Sequence, residues 1–186
     1  MTERGSGMAE ADGDHGVDFP VTELDPRFGE DGAEALRWAD ALHLLERAEL
    51  SWLSTVARSG RPHVTPILTV VVDGTLRFCT GATEQKAKNL ESSPEVAVTT
   101  GVNVLYGGTD LVIDGTAVRV VDDAELLAVA DAFEAKYGPR WRFEVEATSL
   151  RGATGNVALI FEVVPRVGFG FAKGPFAQTR WRFPTN

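Results

Sequence analysis

The residues with most chemical promise lie between Cys79 and Asn89, in the run Cys79-Thr80-Gly81-Ala82-Thr83-Glu84-Gln85-Lys86-Ala87-Lys88-Asn89. A β-rich stretch ending at Thr80-Gly81 runs into a short helical stretch, with Thr83 the expected N-cap and residues 84–91 the body. The free backbone N–H groups and positive dipole end of such a helix favour an anion. Lys86 falls in the first turn, where a cation gains nothing from the dipole, so a bound phosphate would account for its position. The plain alternative is a solvated surface pair, Lys86 and Lys88 facing Glu84 and Glu91.

A second candidate is the tail over residues 168–183, which alternates aromatic and small residues and carries Arg180, Trp181 and Arg182. Chain ends fray unless something ties them down. Indole and guanidinium groups suit a flat anionic ligand through stacking and paired hydrogen bonds. A last strand sealing a core with its aromatics explains the same residues. His63, in a strand, could bond a ligand or simply pack. Cys79 could be reactive, although a lone buried cysteine is usually an inert small hydrophobe. There is no Gly-x-Ser-x-Gly elbow, no His-Glu-x-x-His and no P-loop. No side-chain catalytic set and no metal site is therefore expected.

The elements that must hold these residues are mostly strands. Ala35, Trp38, Leu42 and Leu45 share one face of an expected helix. Strands are expected over 50–56, 63–72 and 75–80, the last two joined by Asp73-Gly74, the strongest hairpin signal in the chain. Further strands are expected over 95–101, over 111–121 with Gly115 marking a bulge or close approach, and over 157–164. Pro94 stops the short helix. Asp122 and Glu125 form an Asp version of the capping box opening a helix with Leu126, Val129, Phe133 and Tyr137 inward, ended by Gly138-Pro139. Residues 140–156 read as loop. Six or seven strands with short connections predict an antiparallel barrel or sandwich.

Charge and composition narrow the partners. The net charge is −9, but residues 1–34 hold ten acidic and two basic side chains, a net of −8, which leaves −1 for the rest. A near-neutral body argues against nucleic-acid binding. The acidic, Gly- and Asp-rich head over 1–34 is expected to be disordered, with one folded domain over 35–186. No apolar run approaches a membrane span, the N-terminus lacks signal-peptide regions, and a single cysteine excludes an internal disulfide. The expected setting is the cytoplasm.

The order Leu50-Ser51-Trp52-Leu53-Ser54-Thr55-Val56, Gly60-Arg61-Pro62-His63-Val64-Thr65-Pro66, Phe78-Cys79-Thr80-Gly81, Glu84-Gln85-Lys86-Ala87-Lys88-Asn89-Leu90 and Ser93-Pro94-Glu95-Val96-Ala97-Val98 resembles the pyridoxamine 5'-phosphate oxidase-like superfamily of flavin and deazaflavin oxidoreductases. The resemblance runs from about residue 36 to the C-terminus. It implies a six-stranded antiparallel split β-barrel of Greek-key type, forming a homodimer with FMN or coenzyme F420 at the interface. It implies hydride transfer to a small organic substrate, or else a non-catalytic flavin, F420 or haem carrier or sensor. Carried over by position, the cofactor-binding residues are His63, Val64, Thr65 and Pro66 beside the ring, and Cys79, Thr80, Gly81, Gln85, Lys86 and Asn89 along the chain and phosphate. Arg180 and Trp181 would come from the tail.

Two departures matter. The oxidases proper carry Ser-Arg-Lys where this chain has Glu84-Gln85-Lys86, and they hold substrate with an Arg-x-His pair near the C-terminus. The histidines here are His15, His43 and His63, so that pair is missing and pyridoxine phosphate oxidation is not expected. Arginine outnumbers lysine in the manner of a GC-rich genome, which leans the cofactor expectation toward F420.

Overall fold

The computed structural model describes residues 20–184. Six strands form the barrel when the bent pair β3 (Pro62–Ile67) and β4 (Thr69–Val72) is counted as one; the others are β2 (Ser51–Val56), β5 (Thr75–Gly81), β6 (Glu95–Thr100), β7 (Thr109–Val120) and β10 (Val157–Lys173). All pairings are antiparallel. The short helix α2 (Gln85–Ser92) links β5 to β6, which returns to lie beside β2. Three consecutive strands with the fourth back beside the first make a Greek key. The hairpin at Asp73-Gly74 holds, with both residues at positive φ (50° and 71°) as its turn type requires.

The barrel is split between β3 and β4. β3 pairs with β2 and β4 pairs with β5, and the chain bends from one to the other at Leu68. The hydrogen-bonded ladder therefore does not close on itself. Across the seam, the Ser51 and Thr69 hydroxyls lie 3.2 Å apart. Behind it, Tyr137 Oη donates to the Thr69 carbonyl at 2.8 Å, as does Lys136 Nζ at 2.8 Å. Both come from α3 (Asp123–Tyr137), and burial lowers the Lys136 pKa.

Gly115 sits where expected for a close approach. It pairs with Pro165, beside a register shift in β10, and a Cβ there would lie 2.2 Å from the Val164 carbonyl oxygen. Leu53, Val98, Ile113 and Trp181 fill the barrel under α1 (Trp38–Arg47). A second core joins Leu126, Val129 and Phe133 of α3 to Val70 and Ile160, as the periodicity of α3 predicts.

Four expectations change. The paired chain begins at β1 (Val21–Leu24), which adds to β11 (Phe176–Arg182), so the part of the acidic head from residue 20 onward is not disordered; residues 1–19 lie outside the described residues. α1 starts at Trp38 rather than near Ala35, because the Leu36 N–H donates to Thr179 Oγ1 (2.8 Å) and the Leu36 carbonyl accepts from Trp181 Nε1 (3.1 Å). Those bonds hold residue 36 extended against β11. Residues 140–156 are not all loop: they contain the hairpin of β8 (Phe143–Glu146) and β9 (Ser149–Gly152), which packs on α3 and pairs with the start of β10. β10 also runs nine residues beyond the expected end, because its second half pairs with β11 while its first half pairs with β5.

Candidate functional site

A cleft of ≈ 340 Å³ opens at the seam. Pro66, Ile67 and Leu68 supply one wall from the β3–β4 bend, and Cys79, Thr80 and Gly81 supply the floor from the end of β5. Glu84 and Lys86 close one end at the start of α2, while Trp141, Phe143 and Asn156 form the opposite wall. Trp141, Phe143 and Asn156 also line an adjoining chamber of ≈ 670 Å³ together with Tyr137 and Arg140. The aromatic wall is braced from behind: Phe133 meets Phe143 edge-on (5.7 Å) and stacks on Trp141 (6.4 Å).

The α2 end has an unusual arrangement. The helix begins at Gln85, with Glu84 in place of the expected Thr83 at the cap position, and the Glu84 side chain caps none of the helix's backbone N–H groups. Its Oε1 instead accepts the Gly81 N–H at 2.8 Å, and its Oε2 accepts from Lys86 Nζ. Lys86 is 9% exposed. Burial pushes the Glu84 pKa upward, but the Lys86 ammonium and the Gly81 N–H outweigh it and hold the carboxyl below its ordinary value. Lys86 is thus neither a solvated surface lysine nor a free anion anchor: a carboxylate from the same chain already answers it.

Burial raises the Cys79 thiol to about 12, with the Glu84 charge adding to the effect. A thiol so placed stays protonated and is a poor nucleophile. It lines the cleft as a small apolar surface.

Of the residues expected to bind cofactor, Pro66, Cys79, Thr80, Gly81 and Lys86 line the cleft. Thr65 carries a buried hydroxyl with no hydrogen-bond partner. Groups of this kind are rare in folded proteins and call for an explanation. Val64 lies on the same outward face of β3 as Pro66, is 54% exposed and does not line the cleft. His63 Nδ1 lies 3.4 Å from Thr55 Oγ1, a packing role that does not reach the cleft. Gln85 donates to Asn89 at 2.8 Å, and Asn89 donates to Thr55 at 2.9 Å. That buried chain pins α2 to β2, so the Asn89 amide serves the fold and not the cleft.

The tail residues lie away from the cleft of their own chain. Trp181 is 0% exposed, packed edge-on against Trp38 at 5.4 Å, and Arg180 lies on the outer face with its guanidinium 5.9 Å from the Phe169 ring. Neither lines the cleft. The alternation that brought Trp181 to notice is that of a strand with one face in the core. The cleft wall of Trp141, Phe143 and Asn156 was missed. Its only sequence signal was two aromatics at a spacing of two, bracketed by Gly138-Pro139 and Gly152.

Among the described residues no cluster of His, Cys, Asp and Glu could hold a metal ion, and no helix is long and apolar enough to cross a membrane.

Comparison with known proteins bears on the family and the fold. The sequence pattern of the pyridoxamine 5'-phosphate oxidase family matches residues 39–159. No curated protein matches the chain by sequence. Among solved structures, a haem-binding protein from Mycobacterium smegmatis superposes with a TM-score of 0.61 at 12% identity, over 76% of this chain and 56% of that one. HutZ, the haem storage protein of Vibrio cholerae, gives 0.54 at 20% identity, over 73% and 94%. An F420 reductase gives 0.51 at 24% identity, over 68% and 93%. Likeness at these identities carries the architecture.

Proposed function

Because the chain belongs to the pyridoxamine 5'-phosphate oxidase family, we propose that it is an oxidoreductase whose cleft holds a flavin-type ring of the FMN or F420 kind. The observation that supports this most is the convergence of Pro66, Cys79, Thr80, Gly81 and Lys86 on one cleft at the barrel seam. When bound, the ring supplies hydride transfer, while the protein supplies binding, orientation and electrostatics.

The ring end of such a ligand fits the residues present. Leu68, Trp141 and Phe143 offer apolar and aromatic surface to a flat ring, and the unpartnered Thr65 hydroxyl lies beside the same bend. The phosphate end does not fit as it stands, since Glu84 occupies the Gly81 N–H and Lys86. Asn156 and Arg140 border the adjoining chamber, where a small organic substrate would lie with the aromatic wall excluding water.

The proposal extends to a homodimer in the cytoplasm. Among the described pairings β3 bonds only β2, leaving its other edge unpaired. Trp52 (48% exposed) and Val64 lie on the outward face there, a surface that a second copy would cover.

The test is spectroscopic. The purified protein is titrated with riboflavin, FMN, F420 and haem, following absorption and fluorescence. Saturable binding of a flavin or deazaflavin, with reduction of an added acceptor, supports the proposal; absence of binding by every ring ligand overturns it. A second reading, a haem or flavin carrier, is favoured by the lack of any proton-transfer group in the cleft beyond the mutually engaged Glu84 and Lys86. Tight binding with no acceptor reduced would establish that reading instead.

A further inference from the structure

We propose that Glu84 is a built-in anion that excludes a terminal phosphate from the start of α2, so that the cleft selects a ring ligand whose tail ends in hydroxyl groups. The inference rests on the reading that the cleft takes a flavin-type ring, and it narrows that reading from FMN, whose tail ends in phosphate, to a ring compound with an unphosphorylated tail.

Three observations carry it. The Glu84 carboxylate takes the two donors that a phosphate would use there: Oε1 accepts from the Gly81 N–H at 2.8 Å and Oε2 from Lys86 Nζ. Glu84 and Lys86 both line the cleft, so the pair sits inside the ligand volume and not beside it. Lys86 is nearly buried, and its only hydrogen-bond partner among the described residues is Glu84. An incoming phosphate would bring two negative charges against a carboxylate held ionised by its neighbours, in a partly desolvated site where repulsion is poorly screened.

A polyol tail meets none of this repulsion. The Glu84 side chain is 48% exposed, which leaves its remaining lone pairs open to hydroxyl donors. The first-turn N–H groups of α2 have no intrahelical partners and can bond hydroxyl oxygens. The carboxylate thus changes from a competitor of an anion into an acceptor for a neutral tail.

The experiment compares the full-length protein with Glu84→Gln and Glu84→Ala, using riboflavin and FMN as probes and fluorescence quenching as the readout. The unsubstituted protein is expected to bind riboflavin at least about tenfold more tightly than FMN, equivalent to about 1.4 kcal/mol. Both variants are expected to move that ratio toward FMN by at least as much. In parallel, inorganic phosphate is added in thermal melts: it should raise the Tm of Glu84→Ala, leave the unsubstituted protein unmoved, and lose its effect in Glu84→Ala/Lys86→Met. FMN bound as tightly as riboflavin by the unsubstituted protein overturns the inference, as does a ratio that neither variant shifts. If no protein binds any flavin, the proposed function falls, and the phosphate melts alone decide: stabilisation confined to Glu84→Ala sustains the exclusion, and any other pattern ends it.

Discussion

Two of the three α-helices among the described residues begin behind an acidic residue, and the two carboxylates behave in opposite ways. At α3, Asp122 turns back onto its own helix and accepts the N–H groups of Ala124 (3.0 Å) and Glu125 (3.1 Å). At α2, Glu84 leaves the backbone N–H groups of its helix uncapped and bonds the Gly81 N–H and the Lys86 ammonium. Side-chain length contributes: aspartate is a preferred N-cap and glutamate is not. The helix that satisfies its own terminus packs Leu126, Val129 and Phe133 into a core. The helix that does not opens onto the cleft. The lesson is that the same charge at the same helical position caps a helix in one place and lines a cleft in the other.

That contrast can be broken or sharpened by substitution. The largest effect is expected for Leu126→Ala, which empties a fully buried position on α3. It should cost about 2–5 kcal/mol in denaturant melts, while the riboflavin-to-FMN ratio stays unchanged. Asp122→Ala removes the α3 cap and should cost about 1 kcal/mol, again without altering that ratio. Glu84→Asp tests the converse by giving α2 a residue able to cap it. Stability should shift by no more than about 0.5 kcal/mol, yet the ligand ratio should move toward FMN because Gly81 and Lys86 are released. A shift in ligand ratio for Asp122→Ala, or none for Glu84→Asp, would erase the distinction between the two helix starts.

The smallest effect concerns pH. The Glu84 carboxyl is held below its ordinary value of 4.5. A lowered folded-state pKa contributes stability above the unfolded value, and that contribution is lost as pH falls through the folded one. Exposure of half its side chain keeps the contribution small. Melts between about pH 3 and 7 should show Glu84→Gln losing less stability on acidification than the unsubstituted protein. Equal acid sensitivity would mean that the Glu84 contacts do not persist in solution.

What was legible in the sequence was whatever local chemistry determines. The Asp73-Gly74 turn, the face of α3 and the close approach at Gly115 each follow from a few adjacent residues. Half of the capping box was legible too: Asp122 caps α3, but Glu125 leaves the box for the buried Arg77 guanidinium at 3.2 Å, a partner 48 residues away. The cleft lining was legible where it lies on β5 and at the start of α2. It was misjudged where burial decides, since Trp181 and Asn89 are polar-tipped residues whose groups are taken by Leu36 and Thr55 inside the fold. The wall of Trp141 and Phe143 was hidden because Trp141 ends a single 3-10 turn over Pro139–Trp141 and Phe143 opens a four-residue strand, in a hairpin that gains its order from α3 and β10.

The bend at Leu68 has a mechanical consequence. Because β3 and β4 hold different neighbours, the gap between them can widen by torsion of the chain near Leu68 while every rung on either side stays intact. The Ser51–Thr69 contact acts as a single stitch across that gap, and α3 grips the β4 side through Lys136 and Tyr137. The mouth of the cavity is therefore bordered by two unlike segments, β4 tied to α3 and β3 tied only to β2 among the described pairings.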